Sequence, residues 1–315
     1  MSIPSSISLF WLILLLLGLG GCVGTPDLRP ETQIQGEREL QRGTRAYNNN
    51  DYRTAARQFS QALKLYRSVD DLDGIAQSSI NLIETALAIG NYQAVEQRLL
   101  ELTRLVEAAN LHRYRARINL LRASLAFKQQ HHADAIAALE PILPSFNDKQ
   151  LLSQKLTDES MSALASRASI ACEIDAADAP LWLERLDNAL DEEFFRRRPA
   201  LEGLLHRLRG KLQQSAGRET EALLQYGLAL DFYRKAGDRR GIATTLHSQA
   251  RIHITQAAWN KTESLLQRAL SIRLWLTDRS GTLAVVEDLI RLYQHTDQQA
   301  KLDEMEAWRG RLQAE

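Results

Sequence analysis

The sequence has few residues that interrupt helices and few that could crosslink the chain or bind metal. Among 315 residues there are 16 glycines and 7 prolines, about 7% of the chain against roughly 12% in a typical protein. The two cysteines, Cys22 and Cys172, are too few for a disulfide framework, and no cluster of Cys and His has the spacing of a zinc site. The scarcity of helix breakers predicts an all-α protein without a structural metal.

The chain also lacks an excess of charge and the common catalytic motifs. It has 39 basic and 39 acidic residues and a formal net charge of zero, so it has no electrostatic signature of nucleic-acid binding. Phosphate loops, dinucleotide fingerprints, nucleophile elbows and zinc-protease helix motifs are absent. We therefore expect a non-catalytic protein that binds neither nucleic acid nor a small-molecule substrate, and that has no cofactor.

The N-terminus has no charged side chain before Cys22 and contains the apolar run Leu9 to Leu17. This run has the length of a signal-peptide core and is shorter than the ~20 residues of a membrane span. The motif that follows, Leu19-Gly20-Gly21-Cys22, resembles the bacterial lipobox. The resemblance implies a signal peptide over residues 1–21 and a covalent lipid on Cys22. The alternative is a secretory signal peptide followed by an incidental cysteine.

Two features after Cys22 indicate which membrane would hold the lipid anchor and how the chain continues from it. Val23 stands where an Asp acts as an inner-membrane retention signal, so the lipoprotein resemblance implies an outer-membrane anchor facing the periplasm. Residues 22–35 are mostly polar and include Pro26 and Pro30, which predicts an unstructured lipidated tether.

An internal repeat fills the rest of the chain. Small and aromatic residues recur in a fixed series, first as Gly43, Ala46, Tyr52, Ala55, Phe59, Ala62 and Leu63, and again as Gly210, Ala222, Tyr226, Ala229 and Leu230. Weaker copies follow at steps of 40 residues. A second marker, Asp-x-x-Gly, occurs at Asp71, Asp238 and Asp278. A fixed period of this length predicts stacked supersecondary units.

This series resembles the tetratricopeptide repeat (TPR), in a variety with longer helices, from about residue 36 to residue 310. The resemblance implies an α-solenoid of antiparallel helix hairpins with a concave groove. We assign residues 36–149 to an N-terminal block, 150–200 to a degenerate hairpin and 201–315 to a C-terminal block. Residues 302–312 are predicted to form a capping helix.

In TPR proteins the first helix of each hairpin lines the groove. Carrying those inward positions over to this sequence predicts a partner-binding groove formed by Tyr47, Asn81, Glu84, Arg117, Phe127, Lys128, Arg207, Lys211, His247 and Arg251. Chaperone-type members bind a C-terminal carboxylate with paired Lys and Asn residues. Leu40 and Ile80 stand where that Lys would be, so this clamp is not predicted here.

Three other features favour ordinary structural roles. Cys172 lies among apolar residues and is predicted to be a buried, unreactive thiol. Trp259 and Trp275 fit core positions better than a ligand site. His131 and His132 lie at a turn with no partner at metal-ligand spacing, so we expect them to be solvated.

Two functions remain open. The first is a lipid-anchored scaffold that binds an envelope protein or peptide in its groove and assists assembly of an envelope complex. The second is an accessory that binds peptidoglycan or another glycan, or regulates a cell-wall synthase, with Tyr47, Phe127 and Arg117 as contacts. These partners are inferred from the resemblance of the fold alone.

Overall fold

The computed structural model describes residues 30–143, 157–190 and 198–314, and these residues form α-helices, a short 3-10 helix and turns without any strand. The predicted signal peptide and Cys22 lie outside these ranges. The α-helices in the described ranges are α1 (Glu31–Asn48), α2 (Tyr52–Ser68), α3 (Leu72–Ile89), α4 (Tyr92–Ala108), α5 (Arg115–Lys128), α6 (His132–Leu139), α7 (Asp158–Glu173), α8 (Ala179–Ala189), α9 (Pro199–Ser215), α10 (Glu219–Ala236), α11 (Arg239–Thr255), α12 (Trp259–Trp275), α13 (Arg279–His295) and α14 (Gln299–Ala314). Helix α1 begins inside the segment predicted as a tether, so residues 31–35 are helical.

Most turns between helices share one local design. The chain leaves each helix through a residue with positive φ, and these residues recur every 20 positions, at 50, 70, 90, 110 and 130 and again at 217, 237, 257, 277 and 297. The next backbone N–H then bonds back into the last helical turn, as from Asp71 to the Tyr66 carbonyl at 3.0 Å. Several of the following helices are capped by an Asp or Asn; the Asp71 carboxylate accepts a bond from the Gly74 N–H at 2.9 Å.

Short turns of this kind force neighbouring helices to run antiparallel. Each α-helix packs on the next one in sequence within the two main blocks, and helices two apart also touch, as α1 with α3, α3 with α5 and α9 with α11. Each hairpin therefore stacks on its neighbour and shares a hydrophobic core with it. This confirms the all-α solenoid of TPR-like hairpins.

Helix crossings depend on glycines that face aromatic rings. Tyr66 lies between Gly36 and Gly74, and a Cβ atom added to Gly74 would overlap Cδ1 of the Tyr66 ring. Tyr233 is held in the same way against Gly241, where a Cβ would be 2.5 Å from the ring. The rings fill the space between successive hairpins because only glycine leaves room for them.

The segment predicted as a degenerate hairpin contains α7 and α8, which pack on each other and both contact α9. Their core includes Met161, Leu164, Trp182 and Leu186, all buried. The described part of this segment therefore joins the two blocks through continuous apolar packing, although it lacks the glycine and aromatic pattern of the flanking repeats.

Other sequence predictions have mixed outcomes. Cys172 is a free cysteine and is buried as predicted, and burial raises the pKa of its thiol to about 11, which disfavours the reactive thiolate. Trp259 is half-buried beside the C-terminal core. The core position predicted for Trp275 is wrong, because its side chain is 52% exposed and lies under the guanidinium of Arg239. Residues 302–312 lie in α14, which packs on α13.

None of the described helices combines the length and the continuous apolar character needed for a membrane span.

Candidate functional site: a cavity between the two repeat blocks

A cavity of about 670 Å³ lies between the N-terminal block and the C-terminal block. One wall is made by the inner helices α1, α3 and α5, and the other by the start of α11 and the end of α12. Its polar lining side chains include Tyr47, Tyr52, Glu84, Arg117, Ser124, Lys128, Asp238, Arg239 and Arg240. A volume of this size falls in the range of about 300–1,000 Å³ that is usual for ligand sites.

The curvature of the solenoid brings these distant segments together. Arg240 lies in the first turn of α11, close enough to the N-terminal block for Tyr52 and Tyr47 to affect its pKa. Burial disfavours its charge, but Asp278 and the Tyr52 hydroxyl more than offset this and raise the Arg240 pKa. Its Nη1 is 3.8 Å from Asp278 Oδ2. Arg240 thus links the two walls.

On the N-terminal wall, Tyr47 and Glu84 are partly shielded from water. The ring of Tyr47 meets the ring of Tyr52 edge-on at 5.4 Å between centroids. Burial, and then the nearby charge of Glu84, raises the Tyr47 pKa to about 12, so its phenol is neutral and can donate a hydrogen bond. Arg117 forms an ion pair with Glu84 across α5 and α3.

Lys128 stands at the end of α5 and points its charge toward the same space. The walls around it reduce its solvation, and Arg240 adds repulsion, so the Lys128 pKa lies below its ordinary value of 10.5. Asp278 partly offsets this effect. Within the described ranges, no ion pair to Lys128 is formed.

A second cavity of about 320 Å³ adjoins the first. Both cavities are lined by Lys128 and Arg240, so these two cations lie at the junction. The apolar side chains that line the second cavity include Leu87, Ile89, Leu283 and Leu312. Together the two cavities form one groove, which we call the central groove.

Four of the predicted groove residues meet in this place: Tyr47, Glu84, Arg117 and Lys128. Asn81 lies apart from them, in a pocket of about 420 Å³ beside Leu40 and Gln41. Arg207 and Lys211 on α9 lie close enough to Cys172 to lower its pKa, against the dominant effect of burial. They are therefore placed near the middle hairpin, outside the central groove.

Three of the predicted groove residues contact other parts of the same chain: one packs in an apolar cluster and two bond to Asp288. Phe127 is half-buried and packs into an apolar cluster, with its ring 5.6 Å from that of His132. His247 is 6% exposed, and its Nε2 lies 2.7 Å from Asp288 Oδ2. The same oxygen accepts a bond from Arg251 Nε at 2.9 Å. The prediction of a partner contact is wrong for His247, because Asp288, 41 residues further on, encloses it.

Sequence reasoning missed the C-terminal wall. Arg239 and Arg240 line the groove, but only the curvature of the solenoid places them opposite α1, α3 and α5. One signal was present in the sequence: the turn after Asp238 contains two arginines, whereas the equivalent turn after Asp71 contains Leu72 and Asp73.

The side chains that line the groove suit a ligand that carries a polar or anionic group beside an apolar group. In the described part of the chain, no group of three or more His, Cys, Asp and Glu side chains is placed to hold a metal.

Comparisons with known proteins bear on the fold of this chain and not on its function. No family model matches the chain, and no curated protein matches it in sequence. Among solved structures, the chain is similar to a Rap protein complexed with competence and sporulation factor, with 13% sequence identity and a TM-score of 0.62. The match covers 90% of this chain and 77% of the Rap chain. A likeness at this identity shows a shared TPR-like solenoid fold.

Proposed function

We propose that this protein is a non-catalytic scaffold that binds an extended segment of a partner protein, or a peptide, in the central groove. The observation that carries the proposal is the groove itself, which both repeat blocks line with polar and cationic side chains. Its larger cavity has no His or Cys among its lining residues, so neither an imidazole nor a thiol is available there. The similar Rap protein was solved with a bound factor, which supports a binding role.

We further propose that a lipid on Cys22 anchors this scaffold, because Leu19-Gly20-Gly21-Cys22 resembles a lipobox. A lipid on Cys22 would hold the solenoid at the periplasmic face of the outer membrane, and the segment before Glu31 would space it from the bilayer. A fixed scaffold with an open groove suits the assembly of an envelope complex. Membrane fractionation of the full-length protein and of Cys22→Ala tests the anchor: the wild type should fractionate with outer membranes and the variant should become soluble.

The partner is tested by crosslinking in intact cells followed by purification of the full-length protein. We expect one dominant envelope protein, lost in Arg117→Glu because reversal of this charge breaks the Glu84 ion pair at the groove wall. Arg104→Glu is the matched control, since Arg104 is exposed on the outer helix α4. Loss of the partner in both variants, or in neither, would count against the groove.

The glycan-binding alternative is separated by a pull-down with purified peptidoglycan sacculi. A scaffold for proteins should not be retained by sacculi stripped of protein. Retention that depends on Tyr47, whose ring lines the groove, would favour the glycan-binding function instead.

A further inference from the structure

We infer that Lys128 and Arg240 form a carboxylate-binding subsite at the middle of the central groove. The segment bound there would carry an acidic group at this point, either an Asp or Glu side chain or a free C-terminus. The inference rests on the proposed function and names the chemistry of the ligand.

The position of the two cations is the first argument. Lys128 and Arg240 line both cavities, so a segment that runs from one cavity into the other passes close to both cations. They come from opposite walls, one from the C-terminus of α5 and the other from the first turn of α11. A group held between them would therefore contact both repeat blocks at once.

The balance of charge is the second argument. Arg117 is paired with Glu84, and Arg273 Nη1 donates to Asp278 Oδ2 at 2.7 Å. Arg240 Nη1 lies further from the same oxygen, at 3.8 Å. The local carboxylate is thus shared by two arginines, and Lys128 adds a further cation without an ion pair inside the described ranges. Three cations, Arg240, Arg273 and Lys128, thus stand around one carboxylate, so the junction carries an excess of positive charge.

The protonation behaviour of these groups agrees with the geometry. Reduced solvation and the nearby Arg240 lower the Lys128 pKa, so two positive charges stand close together in a shielded place. A carboxylate between them would relieve this repulsion and form charge-assisted hydrogen bonds with both. Binding should therefore raise the Lys128 pKa.

The apolar side of the second cavity adds a specificity element. Leu87, Ile89 and Leu283 line it within the same groove as the two cations, and Ile89 is 45% exposed. An aliphatic side chain of the ligand would bury apolar surface there. The expected recognition element is an acidic group next to an aliphatic residue. This arrangement differs from the TPR carboxylate clamp, whose Lys positions are Leu40 and Ile80 in this chain.

Affinity selection from random synthetic peptides tests the inference with purified full-length protein in detergent. One peptide library has free C-termini and the other has amidated C-termini. We expect the wild type to enrich peptides with an acidic group beside an aliphatic residue. Enrichment from the free-acid library alone would assign a C-terminal carboxylate, and enrichment of Asp or Glu from both would assign a side chain.

The variants Lys128→Gln and Lys128→Arg then separate charge from packing. For a selected peptide, Lys128→Gln should weaken binding about 10- to 100-fold, the loss expected for a charge-assisted hydrogen bond. Lys128→Arg should restore most of it. Lys64→Gln, an exposed lysine on α2, is the matched control and should bind as the wild type does. Labelling of the lysines with ¹³C-methyl groups should show a rise in the Lys128 pKa on binding.

Two results would overturn the inference, and only the second would also overturn the proposed function. Groove-binding peptides that show no acidic preference and bind Lys128→Gln normally would overturn the carboxylate subsite and leave the scaffold function standing. Failure to select any peptide that competes at the groove would overturn both.

Discussion

The two repeat blocks share one architecture but bury different polar side chains. In the described residues up to 143, the buried polar side chains are the hydroxyls of Ser78 and Thr85, each of which donates to a carbonyl of its own helix. The C-terminal block also buries carboxylates with their partners, Asp278 with Arg273 and Asp288 with His247. The stability of the first block depends mainly on shape, and that of the second block also depends on charge.

The difference is sharpest at one repeated position. Tyr66 and Tyr233 fill the space beside Gly74 and Gly241, and 40 residues after Tyr233 the same place is taken by Arg273. Arg273 fits because the Asp278 carboxylate, which also caps α13 through the Gly281 N–H at 3.1 Å, lies beside it. A repeat position can therefore exchange an aromatic ring for an ion pair where a capping carboxylate is already present.

The largest expected effect comes from removing that carboxylate. Asp278→Ala should cost about 3–5 kcal/mol, because it leaves Arg273 buried without a counter-charge. The equivalent change in the first block, Asp71→Ala, removes a helix cap and should cost only about 1 kcal/mol. Denaturant unfolding with hydrogen exchange in α3 and α13 measures both locally. Equal costs would contradict the comparison.

A partial rescue sharpens the same test. The double variant Arg273→Tyr with Asp278→Asn rebuilds the arrangement around Tyr233, since Gly281 already leaves room and Asn can still cap α13. We expect it to recover most of the stability that Asp278→Ala loses. A double variant as unstable as Asp278→Ala would show that the position requires charge.

Glycine substitutions test the shape argument in both blocks. Gly74→Ala and Gly241→Ala should each cost about 1–3 kcal/mol, because the new methyl group overlaps the ring of Tyr66 or Tyr233. Gly227 is the matched control: it lies inside α10, where an added methyl group would meet open space, so Gly227→Ala should stabilise by about 0.5–1 kcal/mol. Thermal unfolding of the three variants measures the contrast, and destabilisation by Gly227→Ala would weaken it.

A smaller effect is expected from pH in the C-terminal block. Burial lowers the pKa of His247 below its ordinary value of 6.5, although the hydrogen bond to Asp288 partly offsets this; Arg251 and Arg273 add to the lowering. As pH falls below 6.5, the unfolded chain binds a proton that the folded chain does not, so the free energy of unfolding decreases until the folded pKa is passed.

Unfolding of His247→Gln between pH 7 and pH 5 should therefore show a shallower pH dependence than the wild type. His112, exposed before α5, supplies the control His112→Gln, which should keep the wild-type slope. A steeper slope in His247→Gln would mean that the pKa of His247 is raised in the folded protein.

The smallest effect is expected at the turns. Ala257 has a φ of 53°, a conformation that costs free energy for any residue with a Cβ. Ala257→Gly should stabilise by about 0.5 kcal/mol, and the reverse change at the equivalent Gly237 should destabilise by about 1 kcal/mol. Precise thermal unfolding of both variants checks the pair; the same sign for both would contradict it.

Local patterns predicted the repeats well because their cause is local. The glycines and aromatic residues that meet at helix crossings lie within about 40 residues of each other, and the Asp-x-x-Gly turns cap helices directly. The same reasoning placed Tyr47 and Lys128 in the groove, since both lie on inner helices.

Contacts between distant repeats could not be predicted in this way. Burial of His247 depends on Asp288 in the next inner helix, and exposure of Trp275 depends on how α12 meets its neighbours. The C-terminal wall of the groove depends on the summed curvature of all hairpins, to which each crossing contributes a small angle. No single repeat carries that information.

Photo-crosslinking from both walls tests the central claim that one ligand is held between the two blocks. A benzophenone amino acid is placed at Tyr47 on α1, at Arg239 at the start of α11, or at Leu224, which is 63% exposed on α10 outside the groove. With a peptide selected on the wild type, we predict crosslinks to the same peptide from Tyr47 and from Arg239, and none from Leu224. Crosslinking from one wall alone, or equally from Leu224, would contradict the account.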